Sequence, residues 1–242
     1  MHTRRHLTSL LLALGNASVV VAAGVVAGDS SSNPAAASLH ATVAKNISHA
    51  RDWLDGNDFK SLNQAAGGMQ ILIEVLQAHS DDAAWQAATG KMLSNVAEVQ
   101  KAAGSSNAAE AKAALASLEK SAAAAAALQP AGKPKAISRN PAVRPLMLTL
   151  DGIYADAKIA LLTGRVADAK KGAYTLSELG RVLSNSPSGN SKGRETWPEM
   201  SASFTAAALA AATSPAEDAA SVKKLLHAMS QRCEACHETR SR

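Results

Sequence analysis

The residues best suited to chemistry form a five-residue motif near the C-terminus, Cys233-Glu234-Ala235-Cys236-His237, which contains both cysteines of the chain. Cys-x-x-Cys-His is the attachment pattern of c-type haem. Two thiols at this spacing can add to the two vinyl groups of one porphyrin. The histidine that follows then lies beneath the ring, where its imidazole can bind iron. The motif therefore predicts one covalent haem c, with Cys233 and Cys236 as thioether residues and His237 as an iron ligand.

Other uses of a Cys-x-x-Cys pair fit this sequence less well. A redox pair usually lies at the start of a helix in a thioredoxin-like fold, whereas this pair lies near the end of a predicted helix in a chain with no predicted strand. A structural zinc site needs four ligands, and the chain has no second cysteine pair. A disulfide between residues three apart in a helix has poor geometry. Covalent haem remains the favoured interpretation.

The N-terminal segment has the pattern of an export signal. Arg4 and Arg5 precede an uncharged apolar run from Leu7 to Val26, and small residues follow it. This pattern predicts a signal peptide at residues 1–27, cleaved after Ala27. The alternative is an uncleaved membrane anchor, because about 20 apolar residues can span a bilayer. Either way we expect a periplasmic protein, free or anchored to the inner membrane, as haem attachment after export requires.

Composition and charge narrow the classes of function. Only 3% of the 242 residues are aromatic, and much of the apolar content is alanine, which favours closely packed helices around a thin core. The net charge of +5 falls to +3 without Arg4 and Arg5, and no basic stripe with interleaved aromatic residues is present, so we predict no nucleic-acid partner. No catalytic triad order, His-Glu-x-x-His or phosphate loop is found, so we do not expect an enzyme.

The chain is predicted to be all-α, with two tandem antiparallel four-helix bundles. Three prolines and a glycine between residues 129 and 142 would break any helix, so we place a domain boundary there. The predicted parts are a linker at 28–37, a haem-less bundle at 38–128, a second linker at 129–142 and a haem domain at 143–242. The predicted helices lie at about 38–54, 58–79, 82–103, 108–128, 143–162, 166–185, 195–212 and 215–239.

The two halves resemble each other in sequence. Matching features recur in the same order at offsets between 107 and 112 residues, which favours duplication of one bundle. The matches are Gly56 with Gly164 at the end of the first helix, Val75-Leu76 with Val182-Leu183, Trp85 with Trp197, and the N-cap pairs Asn107 and Glu110 with Ser214 and Glu217.

A Cys-x-x-Cys-His near the C-terminus, on the fourth helix of an antiparallel bundle, resembles cytochrome c′ and its low-spin relatives of the cytochrome c-556 type. The resemblance covers residues 143–240 well and the first half in architecture only. It implies that Cys233 and Cys236 attach the haem and that His237 is the axial histidine. The family usually has a basic residue four places after that histidine, where this chain has Ser241. The first half lacks the motif and is therefore expected to carry no haem.

The resemblance also points to the opposite axial position. In an up-down-up-down bundle the start of the first helix and the end of the fourth lie at the same end, so Met147 can face the haem. In the low-spin relatives a methionine here binds iron, and in cytochrome c′ an apolar residue leaves the iron five-coordinate. The alternative is that Met147 is a core methionine on an apolar stripe. Other expected pocket residues are Leu183, Val182, Trp197 and Met200, with Arg144 near a propionate. His40, at the matching position of the first half, is expected at the surface.

Three functions remain open. The first is transfer of single electrons through a His/Met-ligated iron to a redox partner protein. The second is binding of nitric oxide or carbon monoxide at a five-coordinate iron. The third is an interaction role in which the haem is mainly structural. A homodimer through bundle helices is a further expectation.

Overall fold

The structure, a computed structural model, describes residues 33–128, 130, 135, 137, 141, 143–185 and 197–241, with side chains up to residue 234 at the C-terminal end. The predicted signal segment 1–27, the first part of the linker at 28–37 and most of the linker at 129–142 lie outside the described residues.

Every regular element within these ranges is an α-helix, which confirms the predicted all-α class. Eight helices are described: α1 (Pro34–Asp55), α2 (Phe59–Gln77), α3 (Ala83–Gly104), α4 (Ala108–Ala126), α5 (Val143–Leu162), α6 (Val166–Asn185), α7 (Trp197–Thr213) and α8 (Ala219–Ser241). In the described part of the chain, no helix combines the length and apolarity needed to span a bilayer.

The helices pack as two four-helix bundles in tandem, as predicted. From α1 to α4 each helix contacts the next, and α1 contacts α4 to close the ring; α5 to α8 repeat the arrangement, with α5 against α8. Such a closed ring of consecutive helices brings the start of the first helix and the end of the fourth to the same end of the bundle. In the second bundle this end carries Met147 and the cysteine motif.

The two bundles share an interface, in which α1 packs against α6 and α2 against α5, within one compact unit that spans residues 32–242. The hydroxyl oxygens of Thr42 and Thr175 lie 3.0 Å apart across it. Helices α2 and α5 approach closely at Gly68, where a Cβ built on the backbone would lie 2.8 Å from Thr149 Oγ1. The absence of a side chain at Gly68 therefore lets α5 approach α2.

A buried polar cluster also joins the bundles. His79, just after α2, places Nε2 3.4 Å from Glu178 Oε2 of α6, with side chains only 8% and 12% exposed. Arg181 Nη1 lies 3.0 Å from the same carboxylate, and Asn33 Nδ2 lies 3.2 Å from His79 Nδ1. Burial raises the pKa of Glu178, but the hydrogen bond and charge of His79, with Arg181, outweigh it and hold that pKa below its ordinary value.

Helices α1 and α5 end with the same backbone conformation. This similarity supports the duplication, but it changes which residue of the first half corresponds to Gly164. Asn57 has φ of 56° and Gly164 has φ of 74°, so these two residues take the left-handed conformation that ends a helix. In both helices the next amide donates to a carbonyl five residues back, at 2.8 Å after α1 and 2.7 Å after α5. Gly56 has φ of −80°, so the residue equivalent to Gly164 is Asn57 and the predicted match with Gly56 is wrong.

Two helix starts differ from the prediction. Helix α1 begins at Pro34 rather than near residue 38, because proline suits the first helical position and the Asn33 side chain accepts from the amides of Ala35 and Ala36. Residues 34–37 therefore belong to the helix and not to a linker.

The last helix begins later than expected, at Ala219. Asp218 Oδ1 accepts from the amide of Ser221 at 2.8 Å and so acts as the cap. The predicted N-cap Ser214 is wrong, since its hydroxyl accepts from Ala216 within the preceding loop. The corresponding prediction for Asn107 is confirmed, because its side chain accepts from the amide of Glu110 at 3.2 Å.

Candidate functional site

A small pocket lies at the end of the second bundle where α5, α6, α7 and α8 meet. Four residues expected there from the sequence line it together with one cysteine of the motif. The lining residues are Met147, Leu150, Asp151, Leu183, Trp197, Met200, Ser201, Phe204, Arg232 and Cys233.

Met147 is placed by the first turns of α5. Its neighbours Leu146 and Leu150 are buried on the core face of the helix, whereas Met147 is half-buried at the edge of that face. The hydroxyl of Thr149 donates to the carbonyl of Pro145 at 2.8 Å within the same turn. The thioether therefore reaches the pocket from the start of the helix, as the bundle topology predicts.

Trp197 and Leu183 are tied together. Trp197 is the first residue of α7 and is 4% exposed. Its indole Nε1 donates to the carbonyl oxygen of Leu183, near the end of α6, at 2.7 Å. Because a buried indole N–H needs an acceptor, this bond fixes the start of α7 against the end of α6. The result is a rigid apolar wall for the pocket.

The motif lies in the last turns of α8, whose backbone continues through positions 236 and 237 to Ser241. Cys233 is exposed and lies at the rim of the pocket. The side chains of Cys236 and His237 lie outside the described part of the chain. Positions 233, 236 and 237 are three and four residues apart, so they share one face of the helix.

The chemistry of these residues fits a haem. Apolar side chains suit the porphyrin faces, two methionine sulfurs are soft donors for iron, and a cysteine lies at the rim. Asp151 and Arg232 add polar groups. The cavity is only about 40 Å³, far below the roughly 300–1,000 Å³ of pockets that enclose a ligand. A cavity of this size would have to widen before it could enclose a haem.

Two residues expected near the pocket do not line it. Arg144 is exposed on the first turn of α5, and Val182 is buried in α6, but neither borders this cavity. The arginine that does border it is Arg232. Phe204 and Asp151 were missed, although each lies four residues after a residue that was expected in the pocket, so helical periodicity would have found both.

Other features of the described residues carry less chemistry. A larger groove of about 770 Å³ lies between the bundles beside His79, Glu178 and Arg181, but contains no residue of the motif. Among the described side chains, no three His, Cys, Asp or Glu residues are grouped as a metal site.

No family model, curated protein or solved structure matches this chain.

Proposed function

We propose that the protein is a c-type cytochrome, with one haem attached through Cys233 and Cys236 and with His237 as the proximal ligand. Its second bundle resembles cytochrome c′ and the low-spin c-556 type, and it carries single electrons outside the cytoplasm. One observation supports this above the others: Met147, Leu183, Trp197 and Met200, expected at the haem from the sequence, line one pocket with Cys233.

The bound haem would supply an iron that takes up and releases one electron. The chain would bind that iron through its side chains and would exclude water from it. Met147 would provide a second ligand to that iron, because its sulfur enters the pocket from the end of the bundle that the motif occupies. Leu183 and Trp197 exclude water from the inner wall. With a histidine and a methionine both bound, the ligands of the iron would not change when it gains or loses an electron.

Export and the partner follow from the same proposal. Residues 1–27 would direct the chain to the periplasm, either as a cleaved signal or as a retained anchor. Lys223, Lys224 and Arg232 are exposed on α8 close to the motif, with Glu234 among them. A partly basic surface of this kind suits a redox protein whose contact surface is acidic.

A second function has one observation in its favour. Met147 is only half-buried, at the edge of the core face of α5, so its side chain can pack beside the iron without binding it. The protein would then bind nitric oxide or carbon monoxide at a five-coordinate iron.

Mass spectrometry under denaturing conditions tests the attachment. We expect the mature chain to weigh one haem more than its polypeptide, because thioether bonds survive denaturation. The double variant Cys233→Ala/Cys236→Ala should have the bare polypeptide mass. A bare mass for the unmodified chain, purified from a host that attaches c-type haem, would overturn the proposal.

The optical spectrum of the ferrous protein separates the two functions. A sharp low-spin α-band that does not change with carbon monoxide supports ligation by Met147. Met147→Ala should then turn the spectrum high-spin and sensitive to the gas, whereas the control Met200→Ala, in the same pocket, should keep the band. A broad, gas-sensitive spectrum in the unmodified protein would replace electron transfer by gas binding.

A further inference from the structure

A groove of about 770 Å³ lies between the two bundles, beside the buried polar cluster of His79, Glu178 and Arg181. Helices α6 and α7 line it from the second bundle, and residues near the start of α1 and the end of α2 line it from the first. Among the described residues, none lines both this groove and the pocket beside Met147. Small-molecule sites typically have volumes of roughly 300–1,000 Å³ and often lie between domains. The groove therefore has the size and the place of a ligand site apart from the proposed haem site.

A chain of side-chain contacts holds the polar side of the groove in place. The Asn33 side-chain oxygen accepts from two amides in the first turn of α1, which orients its Nδ2 toward His79 Nδ1, 3.2 Å away. His79 Nε2 lies 3.4 Å from Glu178 Oε2, and Arg181 Nη1 lies 3.0 Å from the same oxygen. The Arg181 side chain is 57% exposed, but the carboxylate that positions it is 12% exposed. A ligand would therefore meet a guanidinium that is already oriented by buried partners.

The charges at the groove are unbalanced. Among the described residues that line it, Glu178 is the one carboxylate, whereas Arg181 and Lys135 are both cationic. Lys135 is exposed, and its amide donates to the carbonyl of Ala78 at 2.8 Å, which holds it beside the end of α2. Arg181 uses Nη1 toward Glu178, but a guanidinium carries five N–H donors and pairs well with a carboxylate. The polar side of the groove is therefore suited to one carboxylate of a ligand.

Much of the remaining lining is apolar. Val75 and Ala78 contribute from α2 and the residue that follows it, and Ala202, Ala206 and Leu209 contribute from α7. Leu209 is 45% exposed, so an apolar molecule in the groove would remove part of its side chain from water. The alanines have short side chains, which leaves the space above them open. This side of the groove therefore suits the apolar part of a ligand.

We propose that the groove binds a monocarboxylic acid with an apolar body. Its carboxylate lies on Arg181 and Lys135, and its apolar body lies against Val75, Ala206 and Leu209. The ligand contacts both bundles, so it stabilises their packing as well as occupying the groove. The proposal does not depend on the haem.

Isothermal titration calorimetry of the mature chain with octanoate tests the site. We expect a dissociation constant on the order of 100 μM for a ligand of this size. Octanol lacks the charge and acetate lacks the apolar body, so each should bind at least about 10-fold more weakly. Absence of octanoate binding up to about 10 mM, or binding of octanol as tight as that of octanoate, would overturn the proposal.

Arg181→Ala tests the contact with the carboxylate. It should weaken octanoate binding by about 10-fold, because it removes charged donors. The matched control is Arg165→Ala, since Arg165 is 58% exposed, is also paired with an acid three residues away, and does not line the groove. The control should keep the original dissociation constant. Equal losses in the two variants would show that octanoate binds to surface charge in general, which would overturn the proposed site.

Filling the groove gives a second test that leaves the charges intact. Ala206 is exposed and lines the groove, whereas Ala210 is exposed four residues further along α7 and does not line it. Ala206→Phe should weaken octanoate binding by at least about 10-fold, because its ring takes the space of the apolar body. Ala210→Phe should bind octanoate as the unmodified chain does. Undiminished binding by Ala206→Phe, with the fold checked by circular dichroism, would place octanoate elsewhere and overturn the proposal.

Discussion

In each bundle the end of the second helix is joined to the third helix by the same kind of hydrogen bond, but the neighbouring side chains differ. In the first bundle the Trp85 indole donates to the carbonyl of Leu76 at 3.1 Å, and in the second the Trp197 indole donates to that of Leu183 at 2.7 Å. The scaffold of the proposed haem pocket is thus present twice. Only the second copy adds a cysteine motif, so a handful of residues separates a packed bundle from a candidate cofactor site.

The first bundle fills this corner with an imidazole. His40, at the position of Met147, is half-buried, and its ring meets Trp85 edge-on with centroids 5.6 Å apart. The expectation of a surface histidine is therefore wrong, because α1 begins earlier than expected and brings His40 into its second turn. Burial lowers the pKa of His40, and the nearby charge of His79 lowers it further.

The largest expected difference concerns the two tryptophans. Trp85→Ala and Trp197→Ala should each lower the free energy of unfolding by about 3–5 kcal/mol, because each empties a buried site and strands a carbonyl. Only Trp197→Ala should also change the optical spectrum of the haem. Urea unfolding with circular dichroism, alongside absorption spectra, measures both effects. An unchanged spectrum in Trp197→Ala would contradict its place at the haem.

Exchanging the residues that differ sharpens the comparison. Met147→His should lower the midpoint potential on the order of 100 mV, because a thioether ligand favours ferrous iron more than an imidazole does. The reciprocal control His40→Met should leave the potential unchanged. Potentiometric titration followed by absorption gives both values. An unchanged midpoint potential in Met147→His would show that Met147 does not bind the iron.

The buried polar cluster between the bundles should contribute less to the free energy of unfolding than either tryptophan. Glu178→Gln should lower the free energy of unfolding by about 2 kcal/mol at neutral pH, because it leaves His79 and Arg181 without their carboxylate. Since the pKa of Glu178 is held below its ordinary 4.5, this contribution is present above that value and is lost as the pH falls through the lowered pKa.

Urea unfolding of both proteins at neutral pH and near pH 3 checks this linkage. The two unfolding energies should converge in acid. Lys45→Ala, which removes the exposed pair with Asp156, is the control and should change stability by less than about 1 kcal/mol. A gap between Glu178→Gln and the unmodified protein that persists in acid would show that the carboxylate charge is not its cause.

The smallest expected effect comes from His40. Its lowered pKa means that the folded chain binds this proton less well than the unfolded chain does, so stability should fall as the pH decreases below the ordinary 6.5. His40→Gln should make that decline shallower in thermal melts, whereas His227→Gln, at an exposed position of α8, should not. Equal slopes for His40→Gln and the unmodified protein would contradict the inference.

The sequence predicted helices and bundle topology well, because periodicity, prolines and turn residues act locally. It also predicted four residues of the pocket, since topology alone brings the two ends of a bundle together. Its errors lie at helix starts where several polar residues could act as the N-cap. Asn33 and Asp218 are the caps in the structure, so two helices begin about four residues away from the predicted positions. The hydrophobic periodicity does not indicate which polar residue caps a helix.

The interface between the bundles was beyond prediction for another reason. The contacts of Thr42 with Thr175 and of His79 with Glu178 join residues far apart in the sequence. Each of these residues alone looks like an ordinary polar residue on a helix. Only the packed structure shows that His79 and Glu178 are buried partners.

The close approach at Gly68 gives the first bundle a structural role. Thr149, which rests there, is two residues from Met147, so α2 braces the turn that carries the proposed ligand. Under the proposed function, the first bundle would thereby support the Met147 sulfur in its position at the haem. A methyl group at position 68 would clash with Thr149 and would shift that sulfur from the other half of the chain.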